Sequence, residues 1–219
     1  MKKKLITIDG LAATGKTGLS SSLAKELGFT HFSSGMMFRA FAMLAMQKGI
    51  DHNNAAALMA ILEKFDLTIH HVNGKERIFV GGKDVTERLY EEVFAQFASK
   101  THVHPGLDEL MISKWQTIAA GNDTVMEGRN LGSRVFPAAE RKIVLTADLY
   151  QRAKRRSLQL GEPIGRVYLN LKQRDSKDME GDWYTDTVPH DALLIDTTKK
   201  TTGQVLDESL QYCRYINEK

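Results

Sequence analysis

The sequence predicts an α/β fold in which a parallel five-stranded sheet is flanked by helices. Short apolar segments alternate along the chain with segments of helical spacing, a pattern typical of strand–helix–strand units. Near residues 66–86 the pattern changes to short segments separated by Asn73-Gly74 and Gly81-Gly82, which are tight-turn dipeptides. We therefore expect residues 1–219 to form a single α/β domain with a small inserted antiparallel β region.

Five apolar segments are the predicted strands of the parallel sheet. Residues 5–8 are apolar and β-branched, and a glycine-bearing loop follows them, which is the pattern of a buried strand. The other four predicted strands are residues 29–32, 124–126, 143–145 and 192–195.

The segments between these strands have helical spacing. Leu19, Leu23 and Leu27 recur every four residues, and Gly28 stands where a helix should end. Asn54 is predicted to cap a further helix. The remaining predicted helices are residues 36–48, two stretches after residue 86 of which the second contains residues 107–118, residues 149–160 and residues 203–216.

The bulk composition is that of an ordinary globular protein. Thirty basic and 27 acidic residues leave a net charge of +3, too mild to predict nucleic-acid binding. Cys213 is the one cysteine, so no intrachain disulfide is possible and a reducing cytoplasm is expected. No apolar run is long enough to predict a signal peptide or a membrane span. A monomer is expected.

The strongest motif is a phosphate-binding loop, or P-loop, at residues 10–17. Gly-Leu-Ala-Ala-Thr-Gly-Lys-Thr matches G-x-x-x-x-G-K-[ST] in full, between a predicted strand and a predicted helix. In such a loop backbone N–H groups and the positive end of the helix bind phosphate. Lys16 is expected to bridge the β- and γ-phosphates of ATP, and Thr17 to bind Mg²⁺. The predicted ATP-binding residues are Gly10, Leu11, Ala12, Ala13, Thr14, Gly15, Lys16, Thr17 and Gly18.

The motif does not identify the kind of NTPase. The chain contains no Asn-Lys-x-Asp motif for reading guanine, which argues against a GTPase switch. A small kinase also needs a second anion site, and several arginine-bearing segments could form it. Among them Glu127 and Arg129 follow a predicted strand, at the carboxyl edge where open α/β sheets bind ligands. The segments are residues 33–39, 127–132, 152–156 and 174–178.

These segments occur in the order and approximate spacing of bacterial cytidylate kinases, which the chain resembles over nearly its whole length. The resemblance is carried by "SSGMMFR", "GGKDVT", "EGRNLGSRVFPAAERKIVLTA", "RAKRRSLQL" and "RDSKD". It implies a P-loop kinase fold with a monophosphate-binding region at about residues 33–105, which contains the β insertion. It also implies a short lid at about residues 155–180.

The resemblance further implies a role for individual residues, with ATP and Mg²⁺ as cofactors and small nucleotides as partners. Lys16, Arg129, Arg155 and Arg156 would be catalytic. Arg152 would contact ATP, and Glu127 would lie near the water shell of the Mg²⁺ held by Thr17. The residues implied to bind the acceptor nucleotide are Ser34, Arg39, Ser99, Arg129, Asn130, Arg174 and Asp178.

The chain departs from the family pattern at the positions that would read the base. Ser33, Gly106 and Asn130 stand where the family usually has aspartate, arginine and aspartate, and an arginine expected shortly after Asp178 is missing. An amide both donates and accepts hydrogen bonds, so Asn130 need not distinguish cytosine from uracil. We therefore expect either a relaxed base preference or a different monophosphate. Trp183-Tyr184 could stack on the base or pack the lid.

Two alternatives stay open at this stage. The acceptor could be another small molecule with a hydroxyl group, in which case a general base is needed and Glu127 is the evident candidate. The chain could also be a regulatory protein that binds a nucleotide but no longer catalyses phosphoryl transfer.

The basic run at residues 152–156 is either a phosphate clamp or a solvated helix face. The histidine pairs His70-His71 and His102-x-His104 lack the neighbours of a metal site.

Overall fold

The computed structural model describes residues 3–72, 75–101, 104–180 and 188–214. In chain order its strands are β1 (Leu5–Gly10), β2 (Thr30–Ser33), β3 (Leu67–Val72), β4 (Lys75–Val80), β5 (Lys83–Asp84), β6 (Thr124–Gly128), β7 (Arg141–Thr146) and β8 (Leu193–Asp196). The α-helices are α1 (Lys16–Leu27), α2 (Ser34–Gln47), α3 (Ala55–Glu63), α4 (Glu92–Thr101), α5 (Pro105–Gly121), α6 (Leu149–Leu160), α7 (Ile164–Glu180) and α8 (Thr202–Cys213). A 3₁₀ turn spans Thr86–Tyr90 and a π-helical turn spans Leu131–Val135.

The five-stranded sheet has the order β2-β6-β1-β7-β8, and the predicted parallel sheet is confirmed. The central strand β1 pairs Ile6 with Val125 on one side and with Arg141 on the other. Every residue of β1 and β6 is buried, as expected for strands covered on both faces, and this includes the charged residues Asp9 and Glu127. This order puts the carboxyl end of β1, where the P-loop begins, between the ends of β6 and β7.

The chain divides into two compact units. The first comprises Met1–Phe32 and Ala119–Lys219, and its core packs α1 and α8 against the sheet. The second comprises Ser33–Ile118. Its core contains two edge-to-face aromatic pairs, Phe38 with Trp115 at 5.4 Å and Phe41 with Phe65 at 5.9 Å between ring centroids. Each unit therefore has a hydrophobic core of its own.

Local signals set three of the helix ends, and the sequence predicted two of them, at Gly28 and Asn54. Helix α1 ends at Gly28, whose left-handed φ of 70° would strain other residues. Asn54 caps α3 by accepting a hydrogen bond from the N–H of Ala57. Thr201 begins α8 with a capping box that it shares with Gln204.

The β insertion is confirmed as an antiparallel sheet of strands β3, β4 and β5. The third strand of this sheet is short and ends at Asp84. Thr86 instead begins the 3₁₀ turn, because its hydroxyl accepts the N–H of Ile78 and donates to Asp84. The predicted turn at Asn73-Gly74 lies outside the described residues.

Cys213 is fully buried at the end of α8, and burial raises the pKa of its thiol to about 11. The thiolate is the reactive form, so the folded protein should react with a disulfide reagent at least ~100-fold more slowly than an exposed thiol at pH 8. The test is to measure the absorbance of the thiolate that the reagent releases, before and after denaturant is added. Rapid reaction of the native protein would contradict the buried placement.

Within the described residues, no helix is long and apolar enough to span a membrane.

Candidate active site

Two glycines give the P-loop its shape. Gly10 ends β1 with a φ of 148°, and a Cβ at this position would lie 2.3 Å from the carbonyl oxygen of Leu145. A side chain is therefore excluded where the loop passes the neighbouring strand β7. Gly15 adopts a left-handed φ of 103° and forms the N-cap of α1, so the helix dipole begins at Lys16.

Ala13 is an unusual residue in this loop because it too is left-handed, with a φ of 62°. That conformation costs a residue with a Cβ roughly 1 kcal/mol. Ala12 and Ala13 pack against a small apolar cluster formed by Ala153 of α6 with Val167 and Leu171 of α7. The strained backbone is thus held by the two helices that follow β7.

Three consecutive P-loop carbonyls each accept a hydrogen bond from a different cationic side chain. In a trans peptide the carbonyl and the following N–H point in opposite directions, so fixing a carbonyl also orients the next N–H. The three pairs are Gly10 O with Arg129 Nη1 at 3.2 Å, Leu11 O with Lys16 Nζ at 2.9 Å and Ala12 O with Arg152 Nη1 at 3.3 Å. The first three residues of the loop are therefore held by cationic side chains.

Lys16 lies in an environment that disfavours its charge. Burial, followed by the positive charges of Arg129 and Arg174, lowers the pKa of Lys16 to about 7, although Glu127 and Asp9 act in the opposite direction. Several cations held this close together repel one another. A bound polyanion would relieve that repulsion, which makes the cluster suited to phosphate groups.

Thr17 and Glu127 are joined by a hydrogen bond of 3.0 Å from the hydroxyl to Oε2. The other carboxylate oxygen, Oε1, lies 3.6 Å from Nε2 of His31, which is 2.9 Å from the hydroxyl of Ser20. Burial by itself would raise the pKa of Glu127, but the His31 hydrogen bond and the positive charge of Lys16 outweigh it, and the pKa is lowered. Glu127 is therefore an ionised carboxylate at neutral pH.

A threonine hydroxyl beside an ionised carboxylate is a donor set that fits Mg²⁺. This cation prefers oxygen ligands, and kinases hold it with one or two protein oxygens, the others coming from water and phosphates. In the described residues no cluster of three or more His, Cys, Asp or Glu side chains forms a metal site built from protein ligands alone. Thr17 and Glu127 are thus the residues that would hold the ion, with His31 behind the carboxylate.

Arg129 follows β6 and is the best placed of the predicted arginines. Its Nε donates to Asp178 Oδ2 at 2.5 Å, and its Nη1 donates to the P-loop. Its Nη2 is buried and has no hydrogen-bond partner among the described residues. Since a buried charged donor is costly to leave unpaired, this nitrogen is available to an anion.

Asp9 is a site residue that sequence reasoning missed. It accepts hydrogen bonds from the N–H groups of Leu131 and Gly132, both at 2.8 Å, and so anchors the turn that follows Arg129. Burial raises its pKa despite these two bonds. An aspartate inside an otherwise apolar strand, directly before the glycine loop, is the signal that could have identified it.

Asn130 is buried and left-handed, with a φ of 56°. Asparagine tolerates this conformation better than most residues. Its amide nitrogen Nδ2 is buried and unpartnered within the described part of the chain. An acceptor atom on a ligand would satisfy this donor.

The basic residues of α6 differ in their surroundings. Arg152 is buried and paired with Asp175 of α7. Arg155 donates to both the side chain and the carbonyl of Thr197, a buried residue that follows β8 and donates in turn to the carbonyl of Thr14. Arg156 bonds to Gln159 within the same helix. Arg152 and Arg155 are therefore tied to the rim of the P-loop and are not a solvated face.

The predicted acceptor residues of the second unit lie on α2 and α4. Ser34 is buried at the start of α2, directly after Ser33, whose side chain accepts the N–H of Met36. Arg39 donates to the carbonyl of Leu89 at 3.0 Å. Ser99 is exposed and bonds to the carbonyl of Gln96 within α4.

Arg174 and Asp178 lie on α7 in the first unit, where Arg174 is exposed. The predictions made for Trp183-Tyr184 and for His102 fall outside the described residues. Of the other histidines, His104 lies 2.8 Å from the carbonyl of His52 and His70 lies 3.0 Å from the hydroxyl of Thr68.

Comparison with known proteins places these features in a family. The family model described as cytidylate kinase matches residues 6–215. A cytidylate kinase of Caldicellulosiruptor saccharolyticus is 36% identical over 216 residues, covering 96% of each chain. A cytidylate kinase of Bacillus licheniformis is also 36% identical, again over 96% of each chain. Among solved structures, a gluconokinase from Sinorhizobium meliloti 1021 has a similar fold, with a TM-score of 0.52, 11% identity and coverage of 98% of this chain and 94% of its own.

Proposed function

The chain belongs to the cytidylate kinase family, and from this membership we propose that it transfers the γ-phosphoryl group of ATP to a pyrimidine nucleoside monophosphate. The products would be the nucleoside diphosphate and ADP. The observation that carries the proposal is the unpaired, buried Nη2 of Arg129, on a side chain whose charge already lowers the pKa of Lys16. Such a cluster of cations suits two polyanionic substrates.

The proposed mechanism depends on charge and position. A phosphate oxygen of the monophosphate is already an anion, so the attacking atom needs no general base. Lys16 would neutralise the β- and γ-phosphates of the donor, and the free Nη2 of Arg129 would bind the phosphate of the acceptor. Both side chains also donate to P-loop carbonyls, which gives them fixed starting positions. Their main contribution would be to hold two repelling anions in line.

Mg²⁺ would be held by Thr17 directly and by Glu127 through water. When bound, the ion supplies positive charge that offsets the negative charge of the triphosphate. Glu127 contributes an ionised carboxylate whose direction is set by the Thr17 hydroxyl and His31. We include His31 in the proposed site as a positioning residue for Glu127.

The remaining residues of the proposed site are assigned by resemblance. Arg155 and Arg156 would assist catalysis, and Arg152 belongs to the donor side. The proposed acceptor-binding residues are Ser34, Arg39, Ser99, Arg129, Asn130, Arg174 and Asp178.

A phosphate acceptor is favoured over a hydroxyl acceptor by the state of Glu127. A general base works best when its pKa lies near the operating pH. The pKa of Glu127 is lowered from its ordinary value, and its carboxylate is occupied by Thr17 and His31. This carboxylate is therefore a poor base for removing a proton from an alcohol.

The proposal is tested by measuring ADP formation from Mg-ATP with CMP, dCMP, UMP, dUMP, AMP and GMP, and without acceptor. We expect turnover with one or more of the pyrimidine monophosphates well above the no-acceptor rate. Turnover with none of the six would overturn the nucleotide acceptor. ATP hydrolysis without any acceptor dependence would overturn the transferase itself.

The replacement Asn130→Asp tests the proposed role of Asn130 in base preference. The buried Nδ2 of Asn130 can donate to the carbonyl of uracil, whereas a carboxylate accepts from the amino group of cytosine and repels that carbonyl. We expect the ratio of kcat/KM for CMP to that for UMP to rise at least ~10-fold, as for a charged hydrogen bond worth about 1.5–3 kcal/mol. Aspartate also tolerates the left-handed φ, so any fall in the melting temperature should come from burying the new charge, and melting curves measured beside the kinetics report it. An unchanged ratio in a well-folded variant would exclude Asn130 from base selection.

A further inference from the structure

We propose that Arg152 and Asp175 form a positioning pair that holds the peptide between Ala12 and Ala13 in its phosphate-binding conformation. This inference rests on the proposed use of ATP as phosphoryl donor. It assigns the shaping of the P-loop to two residues that lie far from it in the sequence, on α6 and α7.

The guanidinium of Arg152 joins three parts of the first unit through three different nitrogens. Nε donates to the carbonyl of Ala147 at 3.0 Å, Nη1 to that of Ala12 at 3.3 Å and Nη2 to Asp175 Oδ2 at 2.7 Å. The exposed fractions of the Arg152 and Asp175 side chains are 5% and 11%, so solvent screens this ion pair weakly. The planar fork of arginine can make these contacts simultaneously, whereas a lysine amine could not.

The peptide between Ala12 and Ala13 needs such a support. Ala13 is left-handed, a conformation that a residue with a Cβ leaves readily unless its surroundings impose it. Because the Ala12 carbonyl and the Ala13 N–H point in opposite directions, the bond from Arg152 also sets the direction of that N–H. A flip of this peptide would turn one donor of the loop away from a bound phosphate.

Two further features of α7 support the same conclusion. Val167 and Leu171 of this helix belong to the apolar cluster against which Ala12 and Ala13 pack. Asp178 lies three residues after Asp175, hence on the same face of the helix, and pairs with Arg129, which donates to Gly10 O. Helix α7 thus reaches the P-loop twice by the same carboxylate–arginine–carbonyl arrangement.

Keeping Asp175 charged at this buried position costs folding free energy. Its second oxygen, Oδ1, is buried and has no hydrogen-bond partner in the part of the chain that the structure describes. A carboxylate chosen for stability alone would have both oxygens satisfied. The retained charge is explained if its function is to hold Arg152 toward the P-loop.

A double-mutant cycle between Asp175→Asn and Ala13→Gly tests the proposal, with calorimetric Kd values for Mg-ADP as the readout. In the otherwise native chain, Asp175→Asn should weaken binding at least ~10-fold. In the Ala13→Gly background, where the left-handed peptide is no longer strained, the same replacement should cost less than ~3-fold. Arg166→Gln, an exposed position on α7, is the matched control and should leave the Kd unchanged. Circular dichroism melts of all variants accompany the binding measurements.

An equal loss of Mg-ADP affinity in the two backgrounds would overturn the proposal. If the pair only stabilised the fold, relieving the strain at residue 13 would not reduce the effect of Asp175→Asn. Unchanged binding by a folded Asp175→Asn variant would also overturn it. If that variant does not fold, Arg152→Lys replaces it in the same cycle with the same expected result. Failure of the wild-type protein to bind Mg-ADP would instead overturn the proposed function and remove the premise.

Discussion

Replacing Lys16 by methionine is expected to lower kcat/KM for phosphoryl transfer at least ~10³-fold. Methionine keeps most of the apolar length of the side chain but cannot donate to Leu11 O or to a phosphate. The measurement is initial-rate ADP formation with the best acceptor of the panel. Lys25→Met, at an exposed position on the same helix, is the control and should retain full activity. A Lys16→Met variant with wild-type turnover would contradict the proposed function.

The same replacement should make the protein more stable. The folded-state pKa of Lys16 is about 7, below the ordinary value of 10.5, so the lysine opposes folding. The loss of folding free energy that Lys16 causes is largest below about pH 7 and disappears as the pH rises toward 10.5. We expect Lys16→Met to raise the melting temperature by about 2–4 °C at pH 6.5, as for roughly 1 kcal/mol in a chain of this size. The gain in melting temperature should shrink at pH 9.5. A variant less stable than the wild type at pH 6.5 would show that burial and the neighbouring positive charges do not destabilise the charged lysine.

Replacing Arg129 by alanine is expected to reduce kcat/KM for the monophosphate about 10²- to 10³-fold. The variant loses the buried, unpaired Nη2 and leaves Gly10 O and Asp178 without their donor. The KM for the acceptor should rise more than the KM for ATP, and separate titration of the two substrates measures this difference.

Two further variants make the Arg129 prediction specific. Arg134→Ala, at an exposed position in the following turn, should have near-wild-type kinetics. Arg129→Lys should retain more activity than Arg129→Ala but less than the wild type, because a lysine amine cannot contact Gly10 O and Asp178 together as the planar guanidinium does. Full activity of Arg129→Lys would show that only the charge matters at this position. Equal effects on the two KM values would assign Arg129 to the donor as much as to the acceptor.

Much of the fold could be predicted because its signals are local. The apolar strand, the glycine loop and the four-residue leucine spacing of α1 lie within about twenty residues, and each acts through neighbouring backbone geometry. The exception is α7, which sequence analysis did not identify as a helix. Ile164, Val167, Tyr168 and Leu171 have the i, i+3, i+4, i+7 spacing of an amphipathic helix and pack in one cluster, so a helical signal was present in the sequence. It covers only the first two turns of α7, and the buried position that continues the stripe is the charged Asp175.

The sequence by itself determined the P-loop, the alternation of strands and helices, and the family to which the chain belongs. Only the tertiary structure decided the partners of the buried charges. Asp9 with the turn after Arg129, His31 with Glu127, and Arg152 with Asp175 join residues up to 123 positions apart. The physical reason is that a charge leaves water only where a complementary group meets it. Which group that is depends on how the strands and helices pack, and no local pattern contains that information.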